Sequence, residues 1–151
     1  MKKSVVLLYI QRPRNEEEFE LLRPQYASFT AILRGQDWQE IEQFVEANGR
    51  EGMARPKWRK LKRRLTAPDV AAVVIFNLAS TFRRETDLLR FILLCWNLKV
   101  DFVSTEVSAL STLSADGRFL ARFLVLVHDV LMDGLSFPGP GQHKKQKELP
   151  S

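Results

Sequence analysis

The segment at residues 70–76 constrains the fold most, because it is apolar on both faces of a strand and contains neither proline nor glycine. Such a run is typical of a strand buried within a parallel sheet. Residues 4–10 and 100–104 form similar runs, and residues 38–45 form a weaker one. The sequence therefore predicts a sheet with residues 70–76 at or near its middle.

Helical periodicity fills the intervals between these strands. Apolar residues recur at spacings of three and four through residues 16–33, where Pro24 is expected to begin or kink a helix. Residues 85–96 and 115–132 are also predicted to be helical. A short helix follows Pro56, a residue favoured at the first helical position, and places Trp58, Leu61 and Leu65 on one face. Strands that alternate with helices predict an α/β fold with a mostly parallel sheet.

Length and composition are those of one domain. The chain has 151 residues, of which 45% are hydrophobic, enough for one sizeable core. We expect the domain to span residues 1–133 and a flexible basic tail to span residues 134–151. No apolar run reaches the ~18 to 20 residues of a membrane span, and no signal-peptide cleavage site follows the first apolar stretch. These features predict a soluble, cytoplasmic protein with no membrane partner.

Cysteine and histidine are too few for a disulfide or a metal site. Cys95 is the single cysteine, and His128 and His143 are the histidines. We therefore expect no structural metal and no other cofactor. Cys95 lies in an apolar run, which favours a small buried residue over a reactive thiol. His128, alone on an apolar helix, is interpreted as a packing residue.

The short helix after Pro56 is strongly basic. Every charged residue of its segment is cationic: Arg55, Lys57, Arg59, Lys60, Lys62, Arg63 and Arg64. This run is suited to contact DNA phosphates, and a solvated helix face explains it equally well. The net charge of +5 permits an anionic partner without identifying one. Both interpretations of the helix stay open.

Several short motifs occur along the chain at positions near the predicted strands and helices. They are Arg55-Pro56, Arg83, Asp87-Leu-Leu, Val100-Asp-Phe-Val-Ser104, Glu106 and Gly117-Arg118. Their order and spacing resemble the N-terminal catalytic domain of serine site-specific recombinases, the resolvases and invertases, over residues 5–132. The resemblance implies a three-layer resolvase-like fold, with a central four- to five-stranded mostly parallel sheet flanked by helices. It also implies DNA strand cleavage and rejoining as the activity of the family.

The active-site positions of that family carry over one by one. Its first strand ends Tyr-x-Arg-x-Ser, and this chain reads Tyr9-Ile-Gln-Arg-Pro13, so glutamine replaces the arginine and proline replaces the nucleophilic serine. A register shifted by one residue places Arg14 at the serine. The family's Leu-Asp-Arg-Leu-x-Arg segment reads Leu78-Ala-Ser-Thr-Phe-Arg83, which keeps only the last arginine. The resulting vestigial positions are Tyr9, Gln11, Pro13, Gln25, Arg55, Ala79, Ser80 and Arg83.

These replacements remove the chemistry that the resemblance implies. Proline has no oxygen that could attack a DNA phosphate, and each lost preorganised donor costs about 10²- to 10³-fold in rate. We therefore predict a catalytically inactive domain that acts through protein contacts, as a homo-oligomer or with an active recombinase. Two alternatives stay open. One is a module that binds DNA through the basic helix, and the other is an enzyme with an unrecognised nucleophile such as Ser28, Ser80 or Thr81.

Two placements follow from the predicted fold. Because ligands of α/β sheets gather at the carboxyl ends of the strands, we expect five vestigial positions to surround one depression. These are Gln11, Pro13, Arg55, Ser80 and Arg83. The helix at residues 115–132 is more apolar than one buried stripe requires. Part of it should therefore face a partner or be covered by the tail.

Overall fold

The computed structural model describes residues 3–47 and 54–136. They contain one four-stranded sheet with the order β2-β1-β3-β4, in which all neighbouring strands are parallel. The strands are β1 (Val5–Gln11), β2 (Glu40–Glu46), β3 (Val70–Ile75) and β4 (Asp101–Ser104). The apolar run at residues 70–76 thus lies in the interior of the sheet, which confirms its predicted position.

Helices connect the strands close to where the periodicity predicts them. They are α1 (Glu16–Arg34), α2 (Pro56–Arg64), α3 (Leu78–Thr81), α4 (Glu85–Asn97) and α5 (Ala115–Ser136). The Asn15 side chain caps α1 by accepting a hydrogen bond from the Glu18 backbone N–H at 2.9 Å. Pro24 lies inside α1 rather than at its start. The sequence prediction missed α3 and a 3₁₀ turn at Ser108–Leu110, because neither is long enough to show periodicity.

Two apolar layers cover the sheet and make the fold three-layered. Successive residues of β1 point to opposite faces, as the pleat of a strand requires. Leu7 and Tyr9 face a core shared with α2, α4 and α5, whereas Leu8 and Ile10 face a core shared with α1. This arrangement confirms the predicted resolvase-like architecture.

The outer edge of β4 is covered by a loop instead of a fifth strand. The Thr112 backbone N–H donates to the Phe102 carbonyl at 2.8 Å, and the Thr112 hydroxyl accepts from the Phe102 N–H at 3.0 Å. The Ser111 hydroxyl accepts from the Ser104 N–H at 2.8 Å. Because these bonds satisfy backbone N–H and carbonyl groups at the edge of β4, this strand does not require another strand as a partner.

Two predictions about single residues can be compared with the structure. Cys95 is fully buried as expected, and burial raises the pKa of its thiol. His128 is exposed over 53% of its side chain, beside Asp129, so its interpretation as a packing residue is wrong. It lies two turns beyond the buried Ala121, on the same side of α5, so the core no longer covers this side of the helix at residue 128.

The last helix continues past residue 133, where the domain is predicted to end, and the boundary itself stays a prediction. Helix α5 continues to Ser136, while the rest of the predicted tail, residues 137–151, lies outside the described residues. No helix in the described part of the chain is long and apolar enough to cross a membrane.

Candidate functional site

The carboxyl end of β1 opens into a small depression beside α1 and α3. It has a volume of about 50 Å³ and is lined by Gln11, Arg12, Pro13, Arg14, Glu18, Leu22, Asn77 and Ser80. Three vestigial positions, Gln11, Pro13 and Ser80, therefore come together here. We call this the strand-end depression.

The strand-end depression contains no hydroxyl paired with a base. Ser80 is the only hydroxyl among the residues that line it, and its Oγ donates to the Asn77 carbonyl at 3.1 Å. The one lining carboxylate, Glu18, is held by the Arg14 guanidinium at 2.7 Å. This ion pair holds the pKa of Glu18 below its usual range. A nucleophile activated by a neighbouring base, as in covalent catalysis, is thus missing among these side chains.

The other two hydroxyl groups considered as nucleophiles lie elsewhere. Thr81 is buried, and its Oγ1 donates to the Asn77 carbonyl at 3.0 Å. Ser28 lines a groove between α1 and the loop that follows β4. Neither hydroxyl reaches the depression that contains Pro13.

A second depression lies between α2 and α4, and we call it the interhelical depression. It has a volume of about 370 Å³ and is lined by Arg55, Trp58, Lys62, Thr81, Phe82, Arg83, Asp87, Arg90, Phe91 and Leu94. Arg55 and Arg83 are therefore not in the strand-end depression, although α3 borders both. The expectation that all five positions surround one depression is wrong.

The conformation of Arg55 explains this separation. Its Nη1 donates to the Thr81 carbonyl at 2.6 Å, and its guanidinium lies over the Trp58 ring, 5.1 Å from the centroid. It also lies 6.0 Å from the centroid of the Tyr9 ring. These contacts hold Arg55 under the end of α3, against Thr81 and Trp58.

A buried carboxylate, Glu46, joins β1 to α2, and the sequence analysis missed it. Glu46 is 2% exposed and accepts hydrogen bonds from the Tyr9 hydroxyl at 3.0 Å, the Trp58 N–H at 3.1 Å and the Lys57 N–H at 3.3 Å. It thereby caps the positive end of α2. Burial raises the pKa of Tyr9 to about 12, against the opposite effects of Gln11 and Arg55. Tyr9 thus acts as a neutral donor.

Gln25 holds α3 in place from the other side of the sheet. Its Oε1 accepts from the Asn77 N–H at 2.7 Å and from the Thr105 hydroxyl at 2.9 Å. Asn77 adopts a left-handed backbone conformation, with φ of 54°, which asparagine tolerates better than most residues. Glu106 accepts a hydrogen bond from the Leu78 N–H at 2.5 Å and so holds the start of α3. Ala79 is exposed on α3.

The basic helix α2 buries Trp58, Leu61 and the adjoining Leu65, as the periodicity predicts. Its exposed cations are Lys57, Arg59, Lys60, Lys62 and Arg63. Arg64 instead forms ion pairs with Glu42 at 3.1 Å and Asp69 at 2.7 Å. The guanidinium holds the pKa of Asp69 below its usual range. We call the five exposed cations the basic ridge; contact with DNA stays a prediction.

The described residues contain no group of three or more histidine, cysteine or acidic side chains placed to hold a metal ion.

Two solved structures are similar to this chain. The N-terminal catalytic domain of TP901-1 integrase superimposes with a TM-score of 0.60 at 20% identity, over 86% of this chain and 98% of that one. A resolvase-family site-specific recombinase from Streptococcus pneumoniae gives a TM-score of 0.59 at 16% identity, over 89% of this chain and 91% of that one. No protein-family model and no curated protein matches. The chain therefore has the resolvase-like α/β fold of recombinase catalytic domains.

Proposed function

We propose that this protein is a catalytically inactive recombinase-like domain that acts in DNA site-specific recombination, in the cytoplasm, through protein contacts. The similarity in fold to the catalytic domain of an integrase and to a resolvase-family recombinase supports the proposed role in site-specific recombination. The strand-end depression supports the proposed inactivity, because Pro13 occupies the position at which the resemblance expects the nucleophilic serine. The Ser80 hydroxyl, the other oxygen nucleophile considered there, donates a hydrogen bond to the Asn77 carbonyl. This depression is the observation on which the proposal rests.

The loss of positive charge supports the same conclusion. Phosphoryl transfer needs cations close to the phosphate oxygens that gain charge in the transition state. Gln11 and Ser80 are neutral, Arg14 is paired with Glu18, and Arg55 is bound to the Thr81 carbonyl. Among the residues that line the strand-end depression, Arg12 alone offers a guanidinium without an ion pair, so a phosphate near Pro13 would meet a single available guanidinium group there.

The test is a search for covalent protein–DNA adducts. We expect the purified protein neither to nick supercoiled DNA nor to form an adduct that survives a denaturing gel. Pro13→Ser restores a hydroxyl but not the charge, so it should stay as inactive as the control Pro13→Ala. An adduct with the unmodified protein would contradict the proposal, and mapping its site would identify the nucleophile.

The outer face of α5 supports the proposed protein contacts. Phe119, Phe123 and Leu126 are 66%, 50% and 60% exposed, at spacings that place them on one side of the helix. The two phenyl rings stack with 6.4 Å between centroids. Neighbouring apolar side chains exposed in this way are typical of a protein interface. The partner on this face is a second copy of the chain or an active recombinase.

Oligomeric state tests this part of the proposal. Phe123→Ser should lower the mass measured by sedimentation, or abolish capture of a co-expressed active recombinase, because it removes the centre of the stripe. Leu21→Ser is a matched control, since Leu21 is 58% exposed on α1, on the opposite side of the sheet. Equal effects of the two substitutions would show that the α5 stripe is not the interface.

A second candidate function, DNA binding without chemistry, is favoured by the basic ridge. Within the described residues, none of its five cations forms an ion pair, so all are available to phosphates. Affinity for duplex DNA should fall steeply with salt, with a slope near −0.9 for each phosphate contacted. Arg59→Ala should lower both affinity and slope, whereas Arg34→Ala, at the end of α1, should change neither.

A further inference from the structure

The interhelical depression combines an apolar lining with a cationic rim. Trp58 lies at the centre of the aromatic part, 5.6 Å from the Phe82 ring and 4.9 Å from the Phe91 ring. Leu94 completes the apolar lining and is 38% exposed. The volume of about 370 Å³ falls within the range of small-ligand sites, about 300 to 1,000 Å³. The three rings are 9%, 8% and 5% exposed and reach the depression only by their edges, and the volume is large enough for a group of the size of a nucleobase.

The rim carries cations without partners. Lys62, Arg83 and Arg90 line the depression, and their side chains form no hydrogen bond or ion pair with any residue in the described part of the chain. The one carboxylate in the lining, Asp87, is already paired with Arg84 at 3.2 Å. The depression is therefore complementary to an anion, and its apolar lining favours an anion that carries a planar group.

The depression continues into the basic ridge. Lys62 lines it and also lines a shallow surface with Arg59, Arg63 and Thr66 on the outer side of α2. An anionic chain that follows the cations of α2 thus arrives at the rim of the depression. This continuity favours a nucleic-acid strand, whose charges repeat along its length, over an acidic peptide.

We propose that the interhelical depression holds one unpaired nucleotide of a DNA strand that lies along the basic ridge. Arg83 and Arg90 contact the phosphate, and the base packs against Leu94 and the exposed edges of the aromatic rings. A base within a duplex is stacked and cannot enter, so the protein prefers DNA that contains an unpaired nucleotide. This proposal rests on the second candidate function, DNA binding through α2.

The test compares two fluorescent DNA molecules that differ at one position. One is a short duplex, and the other is the same duplex with a single unpaired thymidine at its centre. Fluorescence anisotropy at fixed salt should give about fivefold tighter binding of the DNA with the unpaired thymidine, because part of the apolar surface of the base is buried against Leu94. Leu94→Asp and Arg90→Ala should abolish this preference, because they lower affinity for the DNA with the unpaired thymidine more than affinity for the duplex. Arg59→Ala should weaken binding to both molecules by the same factor and leave the preference intact.

The possible results distinguish nucleotide binding in the interhelical depression from DNA binding by the basic ridge. Equal affinity of the unmodified protein for the two molecules, or a preference that survives Leu94→Asp, would overturn the proposed pocket while leaving the ridge in place. Duplex affinity that is unaffected by Arg59→Ala would refute the ridge alone. Failure to bind either DNA would refute both. Circular dichroism confirms folding of each variant. Displacement of the DNA by an acidic peptide as effectively as by a thymidine oligonucleotide would assign the depression to a protein partner and overturn the proposal.

Discussion

Replacement of Gly117 by alanine tests how the last helix packs against the rest of the domain. Gly117 is buried in the first turn of α5, and a Cβ added there would lie 1.8 Å from the Ser111 carbonyl oxygen and 2.3 Å from its carbon. Favourable contacts between heavy atoms lie near ~3.5 to 4.0 Å. Either α5 or the backbone at Ser111 must therefore move. The adjoining Thr112 bonds the edge of β4, so movement there disturbs the sheet.

The expected change in the free energy of unfolding of Gly117→Ala is the balance of two contributions. Alanine within a helix is favoured over glycine by about 0.5 to 1 kcal/mol. Overpacking costs about 1 to 3 kcal/mol, and the upper end applies because the opposing atoms belong to the backbone. We expect Gly117→Ala to lower the free energy of unfolding by about 2 kcal/mol. In a domain of this size that lowers Tm by about 4 to 8 °C, measured by circular dichroism.

A matched control is available at Gly35, which follows α1. An added Cβ there meets only the Ile32 carbonyl oxygen, at 3.6 Å, an ordinary contact. Gly35→Ala should therefore leave Tm unchanged or raise it slightly. If both variants unfold at the temperature of the unmodified protein, α5 does not approach Ser111 as described, and the reasoning is refuted.

Three other predictions concern buried groups. Glu46→Ala leaves three donors without their acceptor and should lower the free energy of unfolding by about 2 to 4 kcal/mol in urea titrations, whereas the exposed Glu40→Ala should have little effect. The pKa of Tyr9 is raised to about 12 in the folded protein, whereas tyrosine in the unfolded chain has a pKa of about 10. The unfolded chain therefore loses this proton at lower pH than the folded protein, and the free energy of unfolding should fall as the pH rises from about 10 to about 12. Tyrosinate absorbance in a Tyr26→Phe background measures this titration, and ionisation of Tyr9 near pH ~10 would contradict its burial. Cys95 should react with a thiol reagent only at the rate of unfolding.

The elements of the sheet could be predicted from sequence because burial on both faces leaves a clear signal. The runs at residues 4–10, 70–76 and 100–104 lie within one or two residues of β1, β3 and β4. Helix α3 has no comparable signal. It exists because Asn77 turns the chain after β3 and because Gln25 and Glu106, both distant in sequence, accept its first backbone N–H groups.

The candidate site could be predicted only position by position. The order of the motifs places Gln11, Pro13 and Ser80 correctly beside one another. Their separation from Arg55 depends on a carbonyl of α3 and on the Trp58 ring, which no sequence pattern specifies. Glu46 was missed because the weak second strand was predicted to end at Val45, one residue too early to include it.

Internal contacts satisfy the polar groups of the scaffold around the strand ends. Glu46 binds Tyr9 and α2, Gln25 binds Asn77, and Arg55 binds the Thr81 carbonyl. Each of these polar groups is satisfied within the domain, so none requires a bound phosphate to offset its burial. The fold of the described residues therefore does not depend on a bound phosphate for its stability. The same contacts fix Arg55, because its guanidinium must break its hydrogen bond to the Thr81 carbonyl and leave the Trp58 ring before it can move towards any other ligand.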